Sequence, residues 1–173
     1  MQAMILRGCA RRAPNSQDTD ELPKFTVTRC VDFSSTQIFA VVADVANYKE
    51  FLPMVERSTV RNRKPAEEGC ENFSADLVVA YHKLRIQEEF ASHVETSLPK
   101  LLVTTVSSGN AVKRLNSTWQ ITPISGNASD ITFTVDYELK SAMLQMLLSG
   151  MFDSAMRRIM SAFEERARKI YSA

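Results

Sequence analysis

The sequence predicts an α+β fold: a curved, seven-stranded antiparallel sheet wrapped around a long C-terminal helix, with two short helices after the first strand. Three observations predict it. Segments with period-two hydrophobicity recur between turn-forming clusters, two short helical stretches follow the first segment, and Ser141 to Tyr171 carries apolar residues at helical spacing. A chain of 173 residues, 45% of them hydrophobic, is of one-domain size and long enough to bury a sizeable core.

Residues 1–23 carry Arg7, Arg11 and Arg12, turn acidic through Asp18, Asp20 and Glu21, and end at Pro23 with no hydrophobic period. A flexible tail is expected there, with the folded domain over 24–171. The basic, acid-free early half matches a mitochondrial transit peptide but is too sparse in apolar residues for a secretory signal; an extension without a targeting role is the other reading.

From Phe25 the pattern changes. Phe25, Val27, Arg29 and Val31 alternate with Thr26, Thr28, Cys30 and Asp32, as in a half-buried strand. Ser34 or Ser35 can cap a helix containing Ile38, Phe39, Val41, Val42 and Val45, and Asn47 to Pro53 reads as a second short turn ended by proline. Strands are expected near 55–63, 70–82, 84–96, 100–107, 114–123 and 129–139. Turn clusters at 65–69, 98–100, 107–110 and 125–130 separate several of them. Six consecutive strands imply an antiparallel meander. Alternation is clearest in Leu84, Ile86, Phe90 and Val94; in Phe73, Ala75, Leu77, Val79 and Tyr81; and in Ile131, Phe133, Val135, Tyr137 and Leu139. The final helix brings Met143, Leu147, Met151, Ala155, Ile159 and Ala162, with Phe152, Met156, Phe163, Ala167 and Ile170, into an amphipathic pattern. The apolar surface of matching length is the sheet, so helix packs into sheet.

Composition excludes several function classes. With 21 basic and 20 acidic residues there is no field that seeks DNA. Cys9, Cys30 and Cys70 are odd in number and widely spaced, which fits free thiols in a reducing compartment. No stretch reaches the length of a membrane span, so a soluble protein with a membrane surface within reach is expected. His82 and His93, the two histidines, lie in strand patterns with no nucleophile motif and no metal-ligand spacing. The five glycines form no phosphate-binding cluster. No catalytic residue, metal or cofactor is expected.

Three features remain. Glu88 shares parity with Ile86, Phe90 and Val94, so its carboxylate points toward the apolar face. It is either a polar fixture in a cavity, meeting a ligand carbonyl, hydroxyl or bound water, or a rim residue that is solvated or paired with arginine. Met143, Met146, Met151, Met156 and Met160 all lie in the last helix, suiting either an adaptable lipid pocket or ordinary core packing. Met143 to Phe152 holds more large apolar side chains than one helix face can hide, which makes it a candidate gate. Gly150 within it marks a kink, a hinge or a close packing contact.

The run Val41-Val42-Ala43-Asp44-Val45 followed by Tyr48-Lys49-Glu50-Phe51-Leu52-Pro53 resembles the V-x-D-x-x-x-Y-x-x-F-L-P signature of coenzyme Q-binding proteins and their ribosome-association toxin relatives. These belong to the START and polyketide cyclase superfamily of helix-grip folds. Ile86 to Val94, the Trp119 strand, Asp136 to Ser141 and Met151-Phe152-Asp153 are similar to further family segments, so the resemblance spans nearly all of 24–171. The motif residues are Asp44, Tyr48, Phe51, Leu52 and Pro53. Asn110 to Arg114 departs from the family, which usually has a Gly-Pro-Phe-like turn there.

The resemblance implies a cavity that binds ubiquinone or another isoprenoid lipid as ligand and carries or presents it for respiration or quinone synthesis, with no chemistry on the ring. Its expected wall is Phe73, Leu77, Val79, Ile86, Glu88, Phe90, Trp119, Phe133 and Val135 from the sheet, facing Met151, Phe152, Met156 and Ile159 from the helix. Two other functions stay open: a ribosome-associated regulator of subunit association, and a cyclase or aromatase with Glu88 as base. A homo-oligomer also stays open. The expected location is bacterial cytoplasm, peripheral to the inner membrane, with the mitochondrial matrix side as the alternative.

Overall fold

The computed structural model describes residues 24–82 and 85–172; the expected tail at 1–23 and Leu84 lie outside them. Strand β1, Lys24–Val31, turns Phe25, Val27 and Val31 inward and Lys24, Thr26, Thr28 and Cys30 outward, as the alternation requires. Arg29 also falls on the inner parity; its guanidinium donates to Glu164 at 3.1 Å and to Ser161 at 3.2 Å on the last helix. An inward charge at a sheet edge is thereby paired.

Helix α1, Ser35–Ala43, is capped by Ser34. The Gln37 backbone N–H donates to Ser34 Oγ, and Gln37 Oε1 accepts from the Ser34 N–H at 2.9 Å, completing a capping box worth about 1 kcal/mol. A 3₁₀ helix, Val45–Glu50, follows. The second short helix thus begins slightly earlier than the expected turn over Asn47 to Pro53.

Six strands then run as a meander: β2 Val55–Pro65, β3 Cys70–Tyr81, β4 Ile86–Ser97, β5 Leu102–Ser108, β6 Val112–Ser125 and β7 Ala128–Leu139. All pairings are antiparallel, in the order β1-β7-β6-β5-β4-β3-β2. β1 therefore pairs with the last strand, Phe25 opposite Val135, and α1 with the 3₁₀ helix carries the chain from one sheet edge to the other. Two register shifts bend the edge strand β2, near Val55/Arg57 and Arg61/Lys64; Asn62, at φ 54°, lies at the second.

The alternation of β3 has one surprise. Val78 and Ala80, on the outward parity, are buried. Val78 lies in register between Arg57 of β2 and Glu89 of β4, whose side chains bridge at 2.7 Å above it. The long stems of charged side chains hide an apolar residue on a face that is otherwise polar.

Helix α2, Ala142–Tyr171, lies in the concave side of the sheet. Ser141 Oγ caps it through the Leu144 N–H, and the helix is continuous through Gly150. A Cβ at Gly150 would meet nothing within 4 Å, so the close-packing reading of this glycine is overturned. The core gathers Ile38 and Val42 of α1, Phe133 and Val135 of β7, and Met160, Phe163 and Ala167 of α2.

Candidate functional site

Between the sheet and α2 lie two adjoining apolar cavities that share Met54, Val79, Phe90 and Phe152 on their walls. The inner one, about 270 Å³, is walled by Leu77, Val79, Phe90, Trp119, Phe133 and Val135 of the sheet and by Phe152, Met156 and Ile159 of the helix. The outer one, about 350 Å³, is walled by Val79, Ile86, Glu88 and Phe90 and by Met151 and Phe152.

Two aromatic stacks shape the walls. Trp119 stacks on Phe133 at 4.1 Å, and Phe163 closes over Trp119 at 4.5 Å, sealing the inner end. Phe152 stacks on Tyr137 at 4.1 Å and meets Phe25 edge-on, so the side chain that stands between the cavities is held from two sides. Burial raises the Tyr137 pKa above its ordinary value.

One expected wall residue lies elsewhere. Phe73 is buried at the far end of the sheet, opposite Val94 and beneath the Arg63 guanidinium at 4.6 Å. Its parity is right, but its distance along β3 places it in the core beyond the cavities. Parity fixes the face of a strand and says nothing about how far the helix overhead leaves it uncovered.

The family motif builds the closed end. Asp44 accepts from the Asn47 side-chain amide at 2.8 Å and so ties α1 to the 3₁₀ helix. Tyr48 is buried and donates its hydroxyl to the Val42 carbonyl. Burial, then the nearby Asp44 carboxylate, push the Tyr48 pKa far above its ordinary value. Its ring packs edge-on against Phe51 and Phe163. Tyr48 and Leu52 reach the inner cavity, whereas Phe51 and Pro53 line a surface groove against Arg157 and Arg158 of α2.

Glu88 settles one of the open readings. It is 7% exposed, so it is no solvated rim residue, and no arginine among the described residues pairs with it. β5 ends at Ser108, opposite Ala91, which leaves the preceding stretch of β4 without a neighbour on that side. The Gly109–Val112 turn curls into this gap. Glu88 Oε1 accepts from the Ala111 N–H at 2.8 Å and the Val112 N–H at 3.3 Å. Lys140 completes the turn, its N–H donating to Ala111 and its Nζ to Gly109, both at 2.9 Å. A Cβ on Gly109 would come within 2.2 Å of Glu88 Oε1, so only glycine leaves room for the carboxylate. The segment that departs from the family turn therefore forms part of the cavity wall, and two of its N–H groups hold the buried Glu88 carboxyl there.

Sequence reasoning missed several wall residues. Met54, with φ 72°, stands where the cavities meet, and its carbonyl accepts the Ala80 N–H at 2.8 Å; nothing in the local sequence announces a left-handed methionine. Ser92 and Ser107 line the inner cavity and satisfy each other across β4 and β5 at 2.8 Å. The parity of Ser92 with Phe90 and Val94 was the available signal. Leu144 and Leu148, within the candidate gate segment, line the outer cavity, while Met143 and Met146 are 71% and 78% exposed.

His82 and His93 are exposed and face Glu56 and Glu95 at 3.4 Å. Cys30 and Cys70 are free thiols. Among the described residues no cluster of His, Cys, Asp and Glu could hold a metal ion.

A curved antiparallel sheet gripping a long helix around an apolar cavity defines the helix-grip class of cavity proteins. Residues 31–164 match the family described as polyketide cyclase / dehydrase and lipid transport, and the chain belongs to this family. It is 30% identical over 148 residues to the mitochondrial coenzyme Q-binding protein COQ10 of Drosophila melanogaster, covering 84% of this chain and 58% of that protein's length. The ribosome association toxin RatA of Escherichia coli is 25% identical over 152 residues, 88% of this chain and 91% of the toxin. A START superfamily protein from Mycobacterium smegmatis superposes with a TM-score of 0.72 at 16% identity, over 85% of this chain and 98% of that one, which shows the shared fold.

Proposed function

We propose that this protein binds ubiquinone or a related isoprenoid lipid in the paired cavities and carries or presents it to membrane-bound respiratory or quinone-forming enzymes. The observation that carries the reading is the cavity itself: a two-compartment apolar space with one buried carboxyl group, Glu88, on its outer wall. Each methylene of an isoprenoid tail buried there contributes about 0.8 kcal/mol, so the tail supplies affinity while the polar wall supplies orientation. The similarity to COQ10 points to the same ligand class.

Loading requires a route to a bilayer. No described helix is long and apolar enough to cross a membrane. Met143 and Met146 are exposed beside Leu144 and Leu148, which line the outer cavity, and so offer an apolar contact for a membrane surface. This reading puts the protein at the periphery of an inner membrane, and the mitochondrial COQ10 relative supports the mitochondrial alternative over the bacterial one.

The test is mass spectrometry of an organic extract from protein purified without detergent, beside a mock purification. A stoichiometric prenylated quinone is expected. An empty cavity across growth conditions would overturn the carrier reading. Similarity over nearly the full length of RatA favours a second reading, interference with ribosomal subunit association. Cosedimentation with a subunit at physiological salt would support it, and absence from every subunit fraction would retire it.

A further inference from the structure

We propose that the cavity selects the reduced, hydroxyl-bearing form of its lipid head over the oxidised quinone, through hydrogen bonding to Glu88 Oε2. The inference rests on the carrier reading and adds a chemical preference to it.

Glu88 is 93% buried by its 7% exposure and lines the outer cavity. Its two oxygens differ. Oε1 is taken by the Ala111 and Val112 N–H groups, whereas among the described residues no hydrogen bond reaches Oε2. Glycine at position 109 is what allows the carboxylate to sit against this turn, so the orientation of the group is built into the backbone. The other polar side chains on this wall are Tyr81, Ser154 and Arg158, of which Ser154 and Arg158 are exposed to solvent.

A carboxylate accepts hydrogen bonds and has none to donate. A quinone ring presents carbonyl oxygens, which are acceptors as well. Placed against Oε2, such a carbonyl sets acceptor against acceptor, and Oε2 gains no donor from the ligand. A quinol, phenol or prenol presents an O–H that meets Oε2 in a short, charge-assisted bond. The proton stays on the ligand oxygen throughout, so the preference is one of binding alone. Sites that hydrogen-bond a ligand hydroxyl reject analogues lacking it far more strongly than apolar pockets distinguish ligands by size.

The experiment is anaerobic calorimetric titration of the full chain with a short-tailed ubiquinone, with its quinol, and with the dimethyl ether of that quinol. Tails are identical, so differences report the head. The quinol is expected to bind about tenfold tighter than the quinone, with the dimethyl ether as weak as the quinone or weaker. In Glu88→Gln the amide oxygen can keep the Ala111 and Val112 N–H groups and turn its NH₂ toward the cavity. The preference should then vanish or reverse toward the quinone. Equal affinity of quinol and quinone in the unaltered protein would overturn the selectivity and leave the carrier reading standing. Failure of every ligand to bind would overturn both. The ether comparison needs no variant, so it decides the matter even if Glu88→Gln folds poorly.

Discussion

The two halves of α2 share one helix and one concave sheet, yet they do different work. The C-terminal half is the more deeply buried: Met160, Phe163 and Ala167 are at most 2% exposed, and Phe163 stands against Tyr48, Phe51 and Trp119. From Ala142 to Ile159 no described side chain is fully buried. There the inward face looks into open cavity and the outward face carries exposed Met143 and Met146. An amphipathic period alone makes the two halves look alike. Their difference lies in what faces them: α1, the 3₁₀ helix and Trp119 pack against the C-terminal half, whereas the other half borders the outer cavity and meets the sheet aromatics Tyr137 and Phe25 through Phe152.

This contrast predicts unequal costs for similar changes. Phe163→Ala should lose about 3–5 kcal/mol of stability, because it removes a buried ring from the aromatic cluster that seals the inner cavity and enlarges that cavity. Met151→Ala, at a wall already bordering a cavity, should lose well under half of that while weakening lipid binding. Thermal melts of the two variants in the ligand-free state give the comparison, and equal losses would break the division of the helix.

The clamp at the outer cavity comes next in size. Gly109→Ala forces its Cβ against Glu88 Oε1 and should cost about 1–3 kcal/mol by pulling the carboxylate off its N–H partners. Amide exchange at Ala111 and Val112 should accelerate in parallel, and unchanged exchange would remove Glu88 as the turn's anchor.

At the closed end, the raised pKa of Tyr48 gives a pH dependence whose sign is definite. The unfolded chain loses the tyrosine proton near its ordinary value of about 10, whereas the folded protein retains it. Stability from this group is complete below about pH 10 and falls as pH rises further, by up to about 1.4 kcal/mol per unit. Tyr48→Phe should cost about 1 kcal/mol at neutral pH and flatten the alkaline decline. Denaturant unfolding between pH 8 and pH 11 measures both.

The smallest expected stability effect belongs to the exposed pair. Met143→Ser with Met146→Ser should change stability by less than about 0.5 kcal/mol. Its consequence should appear in vesicle cosedimentation and in the rate of lipid uptake. Unchanged uptake would sharpen the comparison by moving the loading route away from the N-terminal end of α2.

Much of this was legible in the chain. Period two located the strands, Ser34 or Ser35 announced the start of α1, and the parity of Glu88 with Phe90 placed a carboxylate on the apolar face. Phe73 shows the limit of the same reasoning: its parity was right and its position along the sheet was not available. Met54 and Gly109 were silent because their roles arise from a left-handed backbone and a close approach by a residue 21 positions away in sequence.

By itself the sequence determined which residues are apolar on which face, where elements start, and that a long helix had to find a sheet, because these follow from local periodicity and capping chemistry. Only the tertiary structure decided that β1 crosses to the far edge beside β7, that half of α2 covers empty space, and that the Glu88 carboxylate spends one oxygen on the backbone and turns its polar end to a cavity wall. Those outcomes depend on where strands stop and which groups meet across long separations, and no local pattern carries that information.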